Sequence, residues 1–197
     1  MRKSREYLDH LASTIDAWDC DAIDRAVAMI GQTWRGGKHM YSFGNGGSAV
    51  TASHLITDLN KTLFLCGGHP FHGACLNDNI GLLTAIANDI AYAEVFAQQV
   101  KSVVREGDLV LAISGSGNSP NILRGIQEAK QRGASTIGLC GFDGGALKPL
   151  VDVAVHVPVN DMQIVEDLHL SFVHIALRVL CSSNESTTPS ANGGTLV

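Results

Sequence analysis

Leu109-Val110-Leu111-Ala112-Ile113-Ser114-Gly115-Ser116-Gly117-Asn118-Ser119-Pro120 joins an apolar run to a turn built of hydroxyls and glycines. An uninterrupted run of Leu, Val and Ile reads as a strand buried on both faces, the kind found in parallel sheets. Pro120 suits the first position of a helix, so Asn121 to Lys130 is predicted to be helical. Strand, turn and helix in that order are half of a crossover unit. The same alternation recurs outward from this stretch, with strand-like runs at Met40 to Phe43, Thr136 to Leu139 and Val153 to Val157. It implies parallel strands joined by crossover helices, hence an α/β fold with the three layers of an αβα sandwich.

Residues 3 to 36 space Tyr7, Leu8, Leu11, Ile15, Ile23, Val27 and Ile30 at helical intervals, with a break at Asp19 to Asp21 and a stop at Gly36-Gly37. They predict a helical pair ahead of the sheet. A further helix is predicted from Ile164 to Leu180. Residues 182–197 are rich in Ser, Thr, Asn and Gly and too poor in apolar side chains to pack, which predicts a disordered tail. The expectation is one domain over residues 1–181, with residues 1–37 packing on it, followed by that tail.

The chain has 197 residues and is 45% hydrophobic, enough for a substantial core. A net charge of -5 argues against a nucleic-acid binder, which needs a basic surface to neutralise phosphates. Met1 to Glu6 is charged and leads into no apolar signal core, and no run nears about 18 apolar residues, so a soluble cytoplasmic protein is expected. The five cysteines, Cys20, Cys66, Cys75, Cys140 and Cys181, include no C-x-x-C pair. Each is expected to be a buried, reduced thiol.

Two turns carry the candidate chemistry. In Phe43-Gly44-Asn45-Gly46-Gly47-Ser48 the glycines expose backbone N–H groups just before a helix N-terminus, an arrangement that suits an anion. It is neither a Walker loop nor a G-x-G-x-x-G fingerprint, and a turn capped by Ser48 would explain it equally well. The second turn, Ser114 to Ser119, is stronger. Three hydroxyls and a helix start converge at the carboxyl end of a strand, where open α/β sheets place ligands. A cap needs Ser119 alone, so Ser114 and Ser116 point to phosphate binding.

His54 and Asp58 stand four apart in a predicted helix and share a face, so both could reach one ion. On helix surfaces that pairing is more often a simple polar contact. Glu166, His169 and His174 lie in the apolar C-terminal helix, where polar groups need a partner or a purpose.

Gly44-Asn45-Gly46-Gly47-Ser48, Asn88-Asp89 with Tyr92 and Val95-Phe96, Gly107-Asp108, Ser114 to Ser119 and Asp143-Gly144-Gly145 together resemble the signature blocks of the sedoheptulose 7-phosphate isomerase family of SIS-domain proteins. The resemblance covers roughly residues 1 to 181. It implies a flavodoxin-like parallel sheet, a homotetramer with active sites near subunit contacts, and a small sugar-phosphate substrate. It also implies substrate contacts from Asn45, Gly46, Gly47, Ser48, Asn88, Asp89, Ser114, Gly115, Ser116, Ser119 and Glu166. Thr is usual in the family where this chain has Gly115.

By the same resemblance, one zinc ion per subunit is expected on His54, Asp58, Glu166 and His174. Two of these depart from the family pattern: Asp58 replaces Glu, and Glu166 replaces Gln. Two carboxylates would bind a cation more tightly and leave it less able to polarise a substrate oxygen. Asp58 is expected as the base and His174 as the acid, with Glu166 able to stand in as base; His169 is expected to be structural or supporting. Glu166 and His174 are eight residues apart, about 12 Å of helix rise, so a shared ion is expected to draw ligands from two chains. The implied reaction converts D-sedoheptulose 7-phosphate into D-glycero-D-manno-heptose 7-phosphate. Isomerisation of another sugar phosphate, or a non-catalytic role like that of the DnaA-binding SIS regulator, stands as the alternative.

Overall fold

A computed structural model describes residues 3–67 and 69–185. The helical pair forms as α1 (Lys3–Asp16) and α2 (Cys20–Arg35), and the break falls at Asp19, whose carboxylate caps α2 by accepting from the Ala22 N–H at 3.0 Å. Then follow β1 (His39–Gly44), α3 (Gly47–Gly67), β2 (His72–Cys75), α4 (Ile80–Asp89), a 3-10 turn (Tyr92–Glu94) and α5 (Ala97–Val103). The chain continues through β3 (Leu109–Ser114), α6 (Pro120–Gln131), β4 (Ser135–Cys140), β5 (Val153–His156) and α7 (Met162–Glu185). β2 escapes sequence reading because it is a four-residue edge strand with only Cys75 buried, so it lacks an apolar run.

All strand pairs are parallel, in the order β2-β1-β3-β4-β5, the flavodoxin-like arrangement. β3 shows how the sheet divides the core. Leu109, Leu111 and Ile113 face a cluster with α2, α3 and α7, while Val110 and Ala112 face one with α5 and α6. Side-chain alternation thus builds the αβα sandwich directly from the Leu109–Ile113 run. β1 and β3 are neighbours whose following helices, α3 and α6, cover opposite faces of the sheet. That is a topological switch point, and it opens a crevice at the strands' carboxyl ends.

Two sequence expectations need correction. α7 runs to Glu185, so its last turn includes residues 182–185 of the predicted tail; residues 186–197 lie outside the described residues. The cysteines are not all lone buried thiols. Cys66 on α3 and Cys181 on α7 form a disulfide with Cα atoms 5.7 Å apart, and Cys20 is exposed. Spacing could not show the pair because 115 residues separate its members; only the packing of α3 on α7 brings them together. Cys75 and Cys140 are buried free thiols, and burial pushes Cys140 up to about 11. Among the described residues, no helix is long and apolar enough to cross a membrane.

Candidate active site

The two turns predicted from sequence meet at the switch point. Asn45, Ser48, Ser114, Gly115, Ser116, Ser119, Met162 and Glu166 line a single cleft of about 150 Å³. Ser119 occupies the cap position of α6, yet its hydroxyl makes no capping bond and faces the same cleft as Ser114 and Ser116. The turn is stiffened from its own backbone: the Gly117 N–H donates to the Ser114 carbonyl at 3.0 Å, and the Asn118 amide donates to the Ser116 carbonyl at 3.0 Å. Asn118 also accepts from the Ala146 N–H at 3.0 Å, so the Asp143-Gly144-Gly145 segment braces the turn from behind. Gly117 has φ 65°, a conformation that a side chain would strain.

The first turn is held by residues that sequence reading did not assign to the site. Asn77 accepts from the Gly44 N–H at 3.1 Å and donates to the Gly44 carbonyl at 2.9 Å, mimicking a continued strand ladder. The Asn45 side chain faces Asn121 of α6 and Tyr92. Asn77 and Asn121 carry no local signal beyond their amides, since their partners lie 33 and 76 residues away.

Gly115 and Gly47 show what fills the cleft walls. A Cβ on residue 115 would lie 2.5 Å from Met162 Sδ, so the Met162 thioether occupies the space that a Thr would use. A Cβ on residue 47 would lie 3.0 Å from Glu166 Oε1, which sets that carboxylate against the start of α3. A helix N-terminus carries positive dipole character, and the placement is favourable for an anion.

The candidate metal ligands divide. His54 and Asp58 of α3 and His174 of α7 come together in one chain, with ligand atoms all within 4.8 Å of one another. His54 Nε2 lies 3.1 Å from Asp58 Oδ2, and the His54 and His174 rings meet edge to face at 5.3 Å. Glu166 stays with the serine cleft and is not in this group. Two imidazoles and a carboxylate are a donor set that suits a divalent ion such as zinc, and their partial exposure would leave room for a further ligand. His169 is buried with neither ring nitrogen hydrogen-bonded among the described residues; burial holds its pKa down at about 4, keeping the ring neutral, against a weaker opposing effect of the Cys140 backbone. Asn88 and Asp89 sit exposed at the end of α4, bonded to each other at 2.7 Å and outside the cleft lining.

Residues 5–141 match the SIS domain family. The chain is 36% identical to a phosphoheptose isomerase of Chlorobaculum parvum over 88% of its own length and 84% of that protein. Among solved structures, the phosphoheptose isomerase of Francisella tularensis superposes with a TM-score of 0.84 at 26% identity, covering 91% of this chain and 97% of the other. That of Neisseria gonorrhoeae gives a TM-score of 0.81 at 26% identity, over 91% and 98% of the two chains. A serine cleft at the switch point, a matching fold and identity over most of both chains agree: this chain belongs to the SIS domain family and, within it, to the phosphoheptose isomerases.

Proposed function

We propose that the protein interconverts D-sedoheptulose 7-phosphate and D-glycero-D-manno-heptose 7-phosphate, an aldose–ketose isomerisation. The observation that carries this reading is the seam between α3 and α7. The serine cleft lies at one point along it and the His54, Asp58 and His174 group at another. Ser48 and His54 are six residues apart on α3, about 9 Å of rise. An extended seven-carbon chain with its phosphate ester spans about 10 Å at roughly 1.2 Å per bond, enough to anchor phosphate in the cleft and present C1 and C2 to the second group.

The hydroxyls of Ser114, Ser116 and Ser119 and the N–H groups of both turns would hold the phosphate, using remote binding energy to fix the reacting carbons. Asp58 would take the proton from C1 and return it to C2, through an enediolate. His174 would donate a proton to O2 and recover one from O1, so no proton is gained or lost overall. A zinc ion on His54, Asp58 and His174 would supply positive charge that favours the oxyanion. The reading extends to a cytoplasmic homotetramer. Ile80, Leu82, Ile90 and Tyr92 are exposed apolar side chains on or just after α4, the helix that ends in Asn88 and Asp89, which supports an assembly contact there.

Purified protein, assayed for zinc, is incubated with sedoheptulose 7-phosphate and followed by NMR. New aldose signals support the reading. No conversion, with or without added zinc, rejects it for this substrate. His174→Gln abolishes turnover while keeping the fold, and unchanged activity in that variant removes His174 from the acid role.

A further inference from the structure

The Asn45 side chain is engaged at both ends. Its amide nitrogen donates to Asn121 Oδ1 at 2.9 Å, and its oxygen accepts from the Asn121 amide at 2.8 Å and from the Tyr92 hydroxyl at 3.0 Å. The two amides therefore form a closed reciprocal pair, each donating to and accepting from the other. Asn121 is 2% exposed and sits two residues beyond Ser119, at the start of α6. Its oxygen also accepts from the Ile122 N–H at 3.0 Å, which fixes the side chain to its own helix. Tyr92 is held over the same point because Glu94, two residues on, forms an ion pair with Arg124 of α6.

The pair spans the two turns that build the cleft, one following β1 and one following β3. With both its polar atoms occupied, Asn45 is a brace that retains a single amide hydrogen for a ligand. We infer that Asn121 and Tyr92 are positioning residues: through Asn45 they set the separation of the Gly44–Ser48 and Ser114–Ser119 turns, and thereby the fit of the phosphate. Loss of the pair would strand a buried amide and free the first turn to shift.

The inference rests on the proposed isomerase reading, and two measurements separate the fates of the two. Asn121→Asp keeps the shape but sets a carboxylate oxygen against Asn45 Oδ1. In this variant KM for sedoheptulose 7-phosphate and the calorimetric Kd for inorganic phosphate both rise at least about tenfold, the equivalent of one lost buried hydrogen bond, while kcat falls much less. Tyr92→Phe, which removes one exposed hydroxyl and leaves folding intact, raises both about threefold. A purely structural role would lower the thermal midpoint and the active fraction but leave KM and the phosphate Kd unchanged. Unchanged values in both variants overturn the inference. Wild-type protein that binds phosphate but turns nothing over rejects the isomerase reading while the phosphate series still tests the brace; wild-type protein that neither binds phosphate nor turns the sugar over overturns both.

Discussion

His54 Nε2 and Asp58 Oδ2 lie 3.1 Å apart across one turn of α3, and His174 of α7 closes the group from the facing helix. Four residues apart on one helix, the two side chains share a face of α3, and that face is the one His174 meets. Asp58 is one methylene shorter than the Glu that the family resemblance implies at this position, which draws its carboxylate back by roughly 1.3 Å, a displacement large enough to cost about a hundredfold in rate. Asp58→Glu is therefore expected to raise kcat about tenfold or more, and Asp58→Asn to lower it at least a hundredfold. Steady-state kinetics with bound-metal analysis of each variant checks this. A lower kcat in Asp58→Glu would show that the shorter side chain suits this site.

Met162 and Gly115 are coupled by space. Gly115→Thr would drive its Cβ into Met162 Sδ, 2.5 Å away, and is expected to destabilise the fold by about 1–3 kcal/mol through overpacking. Met162→Ala removes the obstacle, so the double variant should be more stable than the sum of the single changes predicts. Urea denaturation of all four proteins measures the coupling. Simple additivity would mean that the Met162 side chain swings clear.

The Cys66–Cys181 bond ties together the two helices that carry His54, Asp58 and His174. It closes a long loop, and its loss by reduction or by Cys66→Ser with Cys181→Ser is expected to lower stability by about 2–4 kcal/mol. Denaturation with and without a thiol reductant checks it. The double variant should not respond to the reductant, and equal stability of reduced and oxidised wild type would show that the bond constrains little.

His169 makes stability depend on acid. Its folded pKa is held at about 4, below the usual 6.5, so the unfolded chain binds a proton that the folded chain refuses. The stability contributed by the neutral ring is fully present above pH 6.5 and is lost as pH falls through that range toward 4. Unfolding free energies measured from pH 7 to 4 should drop more steeply in the wild type than in His169→Phe. Parallel curves would show that other groups set the acid limit.

Much of the fold could be read locally. The Leu109–Ile113 run, the hydroxyl turn after it and Pro120 specify strand, cleft wall and helix within a dozen residues, because side-chain period and turn chemistry act over that distance. Ser114, Ser116 and Ser119 stand out for the same reason, whereas His54, Asp58 and His174 become candidates only through the family resemblance, since a His and an Asp four apart on a helix are more often a plain surface contact. Short edge strand β2 was not, since half-exposed strands leave a weak pattern.

Pairings across long stretches of chain leave no local trace and arise from packing alone. Asn45 meets Asn121 across 76 residues, and Cys66 meets Cys181 across 115. Glu166 faces Gly47 in the serine cleft and stands apart from His174, eight residues along the same helix. Each follows from how α3, α6 and α7 pack on the sheet, and that packing is the joint result of many buried contacts. Residue types and turn chemistry, which act over a few residues, supply the candidate groups; the packing of the helices selects which of them stand together.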